Sequence, residues 1–189
     1  MKMETRNNNS EFQVEDRLVE GYAVVFNQPS NDLGWIETIH PEAITQETID
    51  KSDVLAKFNH DDSKVLARSK FGKGSLVLTL DENGLKYTFE SPKTALGDEV
   101  LEYLHRGDIT GSSFAFSINK NDKDSERWYK KDNILYRDIY KIERLYDVSP
   151  VFSPAYETTT CSARYDEVKA TSDEVDKAMD IYKDEINNL

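Results

Sequence analysis

Ser75-Leu76-Val77-Leu78-Thr79-Leu80-Asp81-Glu82-Asn83-Gly84-Leu85-Lys86-Tyr87-Thr88-Phe89 decides the fold class. Leu76, Leu78 and Leu80 share one face, Asp81 to Gly84 turn the chain, and Leu85, Tyr87 and Phe89 resume the two-residue period. Side chains of a strand point alternately to opposite faces, so this spacing predicts an antiparallel hairpin and not a helix. Asn83-Gly84 is expected to supply the positive φ angles that a tight hairpin turn requires.

Outward from the hairpin the same period recurs. Leu18 to Phe26 is rich in β-branched and aromatic residues and ends in the turn formers Asn27-Gln28-Pro29-Ser30-Asn31-Asp32, which predicts a first strand and a loop. Residues 109–118, 133–142 and 143–151 read as further strands, with the charged stretch 119–132 as an exposed hairpin end. Pro150 and Pro154 are expected at a sheet edge or exit, because proline brings no N–H to a ladder. Between Thr94 and Arg106 the period changes: Leu96, Val100, Leu101 and Leu104 fall at helical spacing, and Gly107 follows as a left-handed stop. The reading is mainly β with flanking helices, an α+β chain.

Three segments follow. Residues 1–17, with the run Asn7-Asn8-Asn9, are expected to form a flexible arm. Residues 18–164 form the β-rich domain. Residues 165–189 form an acidic tail with eight acids against three lysines. In that tail Val175, Ala178, Tyr182, Ile186 and Leu189 mark one face of an amphipathic helix starting near Ser172. Such a helix either docks on a partner or packs back on the domain.

The 189 residues carry 24 basic and 36 acidic side chains, a formal charge of −12. Phosphate backbones are repelled by such a surface, so no nucleic-acid partner is expected. A single cysteine, Cys161, excludes an internal disulfide framework and makes a reducing cytosol the default home. No apolar run approaches the roughly 20 residues of a bilayer crossing, and no membrane partner is expected. No cofactor or metal motif is found.

Three short words carry the chemistry: Asn59-His60-Asp61, Gly111-Ser112-Ser113-Phe114-Ala115-Phe116 and Leu145-Tyr146-Asp147-Val148-Ser149-Pro150. A serine hydroxyl is inert at neutral pH without a positioned proton acceptor, and a histidine oriented by a carboxylate supplies one. Strand parity places Ser112 with Phe114 and Phe116, and Ser113 with Ala115 and Ser117. Ser113 is therefore expected on an open face of small residues, where a substrate backbone can approach, and Ser112 in the packing.

Taken singly, each residue has a plainer reading: His60 as a surface histidine in an acidic loop, Ser113 as a strand serine bonded to backbone, Asp147 as the cap of a turn. Asp61 and Asp62 compete with Asp147 as the orienting acid. Arg68 and Arg144 are the cationic candidates for stabilising an oxyanion. His40 precedes a proline in a loop, and His105 suits the end of a helix. Cys161, a conceivable thiol partner of His60, reads as a small filler.

The order of these words, with Glu20-Gly21-Tyr22-Ala23-Val24-Val25-Phe26 before them and Pro154-Ala155-Tyr156 after, resembles the prohead proteases of tailed bacteriophages, the type found with HK97-like capsids. The resemblance spans residues 19–163. It implies a fold like the herpesvirus assembly protease, a small closed β-barrel with flanking helices. It also implies a serine endopeptidase with His60 as base, Ser113 as nucleophile and Asp147 as third member. Three positions depart from the usual pattern: Asp147 stands where glutamate is commoner, Ser112 where methionine is usual and Ala115 where glycine is usual.

The implied partners are the major capsid protein and its scaffold segment, the chain itself through self-cleavage, and other copies through self-association. The implied place is the immature prohead in the host cytoplasm. An assembly factor of the same fold with an idle triad is the competing expectation. A small esterase is a weaker one, since no Gly-x-Ser-x-Gly elbow is present.

Overall fold

The computed structural model describes residues 3–9 and 12–152. In chain order they form β1 (Glu4–Asn9), β2 (Gln13–Glu15), β3 (Leu18–Val25), β4 (Ile36–Ile39), α1 (Gln46–Asp50), β5 (Asp53–Lys57), β6 (Val65–Lys70), β7 (Lys73–Gly74), β8 (Leu76–Leu80), β9 (Gly84–Glu90), α2 (Ala95–Arg106), β10 (Ile109–Ser117), β11 (Glu126–Lys131), β12 (Ile134–Ile139) and β13 (Arg144–Phe152). The mainly β reading holds. The expected C-terminal helix and Cys161 lie outside the described residues.

Among the described residues the ladders make three sheets: β1-β10-β13-β5-β6-β7, β2-β3-β9-β8 and β11-β12-β4. This corrects the expected closed barrel. Ser75 alone separates β7 from β8, and there the chain leaves the first sheet for the second with no ladder bridging them. The sheets meet through side chains instead, β3 against β10 and β8 against β6. Tyr87, Phe89, Phe116, Leu85, Leu145 and Ile139 are buried between them. Each such side chain contributes roughly 1.5–3 kcal/mol by leaving water.

The hairpin of β8 and β9 forms as its alternation predicts, pairing Leu80 with Leu85 and Leu76 with Phe89. Its turn is a different one, for neither Asn83 nor Gly84 has a positive φ. The Asp81 carboxylate accepts from the Asn83 and Gly84 N–H groups at 2.8 and 3.0 Å and closes the turn. Gly84 is required by close approach: a Cβ there would lie 1.9 Å from the Val24 carbonyl oxygen. Helix α2 matches its prediction at both ends, with Thr94 accepting from Gly97 N–H and Gly107 left-handed at φ 73°.

Three further expectations are corrected. Residues 4–9 are no free arm: β1 pairs with β10 from Gly111 to Phe116 as the edge strand of the six-stranded sheet. Glu126–Lys131, expected in an exposed hairpin end, forms β11 against β12, and the left-handed pair Asp132-Asn133 makes the turn between them. Pro150 sits inside β13, between β10 and β5, and not at an edge. Its tolerance there is local. The parallel ladder to β5 covers only Asp147 and Val148, and beyond it the Pro150 carbonyl accepts from Asn59 N–H at 3.2 Å. A residue's N–H and C=O point to the same flank of a strand, so the missing N–H of Pro150 faces a loop and not a ladder.

Candidate active site

Strand pairing brings the serine and carboxylate words together before any side-chain contact is considered. In the ladder of β10 and β13, Ser113 lies opposite Ser149 and Ala115 opposite Asp147, which puts Ser113, Asp147 and Ser149 on one face. Asp147 lies beside Leu55 in β5, so Lys57, two residues on, reaches the same face. A bulge between Ala115 and Phe116 and another between Ala56 and Lys57 bend the sheet beside this cluster.

His60 arrives from the loop after β5. Asn59 and His60 both adopt left-handed conformations, φ 52° and 58°, which non-glycine residues rarely do. The loop holds them by hydrogen bonds from Asn59 N–H to the Pro150 carbonyl, from Asp61 N–H to Phe58 and from Phe58 N–H to Lys64. The Asn59 side chain accepts from Phe152 N–H at 3.3 Å. Strain of this kind persists only where surrounding contacts over-determine it, and here it aims an imidazole at the sheet.

His60 stands between the acid and the alcohol. Its Nδ1 is 2.6 Å from Asp147 Oδ1, and its Nε2 is hydrogen-bonded to Ser113 Oγ. Asp147 also accepts from Ser149 Oγ at 2.9 Å and from Lys57 Nζ at 3.3 Å. Burial pulls the Asp147 carboxyl upward, but hydrogen bonds from His60 and Ser149 and the nearby charges of His60 and Lys57 outweigh it and hold the group below the usual carboxylate range. Lys57 is buried and loses hydration, yet Asp62, at 2.7 Å, and Asp147 hold its ammonium above the ordinary lysine value. An ionised Asp147 accepts the Nδ1 proton, which leaves the Nε2 lone pair facing the serine.

The other candidates stand elsewhere. Asp61 accepts from the Ser63 backbone and hydroxyl, and Asp62 meets His60 only indirectly, through Lys57 and Asp147. Arg68 directs its guanidinium at Asp53, and Arg144 donates to the Lys51 carbonyl. His40 stacks on Tyr140, and His105 lies in the last turn of α2. Ser112 points the opposite way from Ser113, its hydroxyl 2.8 Å from Tyr87 Oη in the core. Ser113 differs from expectation in one respect: its face is not open. The residue is fully buried, and its Oγ lies 2.7 Å from the carbonyl oxygen of Arg6 in β1. The sequence marks Ser149 for this site only by its two-residue offset from Asp147, and it marks Lys57 not at all, since the pairing of Leu55 with Asp147 is a property of the fold. Among the described residues no group of three or more His, Cys, Asp or Glu side chains could hold a metal.

The family model for the caudovirus prohead serine protease matches residues 1–174. The chain belongs to that family. Among solved structures it is similar to the bacteriophage T4 capsid assembly protease, gp21, at 12% identity with a TM-score of 0.50, covering 81% of this chain and 97% of that one. At that identity the likeness speaks for the fold. No curated relative matches the sequence. No helix among the described residues is long and apolar enough to cross a membrane.

Proposed function

We propose that this prohead protease is a serine endopeptidase that cuts the major capsid protein, its scaffold segment and itself inside the immature head, in the host cytoplasm, with copies of the chain associating there. The observation that carries the reading is the single line from Asp147 through both nitrogens of His60 to Ser113 Oγ. The family supports a protease, and the geometry supports serine as its nucleophile.

In this mechanism His60 Nε2 takes the Ser113 proton as Oγ bonds to the peptide carbonyl carbon. It then delivers that proton to the leaving amine as the C–N bond breaks. Water, deprotonated by the same nitrogen, then bonds to the acyl carbon, and His60 returns that proton to Ser113 Oγ as the acyl C–Oγ bond breaks. Asp147 keeps the proton on Nδ1 throughout and balances the imidazolium. Ser149 and Lys57 hold the carboxylate in place.

Incubation of the full chain with its cognate major capsid protein tests the proposal. Cutting is expected with the unaltered chain and not with Ser113→Ala or His60→Ala. Persistent cutting by the His60→Ala variant removes the mechanism, and an unaltered chain that binds the capsid protein without cutting it leaves the idle assembly factor.

A further inference from the structure

The hairpin that joins β6 to β7 has a phenylalanine where neither its turn nor the core calls for one. Phe71 and Gly72 form the tip, both left-handed at φ 56° and 75°. Tight turns of this kind take asparagine or aspartate before the glycine, and a bulky residue with positive φ is an outlier. The Phe71 N–H donates to the Ser52 carbonyl at 2.9 Å, which fixes the turn just beyond α1, yet the residue is 52% exposed. A lone exposed apolar residue is ordinary on a protein surface. One held there in a strained conformation calls for a functional reading.

Cations gather round this ring on a chain whose formal charge is −12. Lys70, its Nζ 6.0 Å from the centroid of the Phe71 ring, lies opposite Lys73 in the hairpin, and neither is ion-paired among the described residues. Lys51 and Arg144 stand on the same rim, since Arg144 donates to the Lys51 carbonyl beside Ser52. The acids there are Glu143, 4.0 Å from Lys51, and Asp50, whose Oδ1 a Cβ on Gly72 would meet at 2.9 Å. Arg68 and Asp53, next along, pair with each other. Four cations against two carboxylates leave a charge of +2 around an exposed aromatic.

The segment 165–189 has the opposite chemistry. It carries eight acids against three lysines, a charge of −5. Its spacing puts Val175, Ala178, Tyr182, Ile186 and Leu189 on one helical face, with Glu174 and Glu185 along one border. Reach is sufficient. β13 starts at Arg144 on the rim of the hairpin and ends at Phe152, nine residues or about 30 Å away. Residues 153–171 span up to about 60 Å when extended, so Ser172 can return to the hairpin. A tether of that length holds the segment at an effective concentration on the order of millimolar, where weak contacts suffice.

We infer that the hairpin Lys70-Phe71-Gly72-Lys73 is a docking site for the chain's own acidic segment 172–189, with Phe71 seated in its apolar stripe and the two lysines on its acids. The hairpin lies at the Asp53 end of β5, whereas Lys57, at the other end, leads into the His60 loop. Docking there is independent of catalysis.

Hydrogen exchange read by mass spectrometry tests this in the full chain. Amides of residues 175–189 are expected to exchange at least about tenfold slower in the unaltered chain than in a Lys70→Glu/Phe71→Ser/Lys73→Glu variant, which lacks both ring and positive charge. Equal rates overturn the inference. All three positions are exposed, and the amides of β10 and β13 report that the fold is kept.

A second measurement leaves the hairpin almost unaltered. A Phe71→p-benzoylphenylalanine variant of the full chain, irradiated in dilute solution, is expected to cross-link to residues 172–189 of the same molecule and to migrate as a monomer. Cross-links to any other segment, cross-links only between copies, or none at all overturn the inference.

Discussion

The two faces of β10 place neighbouring serines in opposite circumstances. Ser112 and Ser113 are both fully buried, and both hydroxyls are hydrogen-bonded. Ser112 meets Tyr87, a phenol whose own ionisation is pushed up by burial, in a core of Phe114, Phe116 and Phe89. Ser113 meets an imidazole backed by a carboxylate, an ammonium and a second hydroxyl. Chemistry here is set by what faces a side chain and not by its type. One hydroxyl completes a core, and the other faces a base.

The comparison breaks most visibly if the two serines are exchanged for alanine one at a time. Ser113→Ala is expected to lower the rate of capsid-protein cutting on the order of 10⁶-fold, as loss of a triad nucleophile does elsewhere, with the melting temperature little changed. Ser112→Ala is expected to keep its activity. Loss of cutting in Ser112→Ala, with Ser113→Ala active, reverses the assignment of the two faces.

Asp147→Asn sharpens the polar face. An amide in that place can donate to Nδ1 and so favours the tautomer that carries its proton on Nε2. The expected fall is on the order of 10⁴-fold at neutral pH with folding retained. Activity within a fewfold of the unaltered chain would instead point to Asp61 or Asp62 as the orienting acid.

Much of this contrast is legible in the sequence because it depends on parity and local spacing. The hairpin at Asp81–Gly84, the helix from Ala95 to Arg106 and the opposition of Ser112 and Ser113 all follow from periods within ten or fifteen residues. What is not legible depends on distant partners. Nothing in Glu4-Thr5-Arg6-Asn7-Asn8-Asn9 has the apolar alternation of a strand; it becomes one because β10 offers an edge and because Glu37 and Arg137 hold its charges. Nothing in the sequence marks Lys57; the parallel pairing of β5 with β13 is what sets it beside Asp147. Pro150 reads as a sheet breaker because the sequence does not reveal that its N–H side faces a loop.

The aromatic face responds in stability and not in rate. Removing the Ser112 hydroxyl leaves Tyr87 Oη without that partner in a site it cannot leave, at a cost of about 1–3 kcal/mol in denaturant unfolding. Tyr87→Phe together with Ser112→Ala removes both polar atoms and is expected to restore most of the loss. A double variant less stable than Ser112→Ala by the full cost of a second deletion would mean that Tyr87 has another partner.

The smallest effect belongs to Lys57, which touches the acid and not the alcohol. Asp147 is held below the ordinary carboxylate value of 3.8. The stability it contributes is therefore present above that value and is lost as pH falls through the lower, folded one. In Lys57→Met one cause of the depression is gone and the folded value moves up, so the gap between stability at neutral pH and at pH near 3 narrows. Thermal melts across that range measure the gap, and cutting is expected to fall only severalfold, because His60 and Ser149 still orient the carboxylate. An unchanged acid limb would show that the ammonium mainly serves Asp62, 2.7 Å away, and that the two hydrogen bonds alone keep Asp147 ionised beside the imidazole.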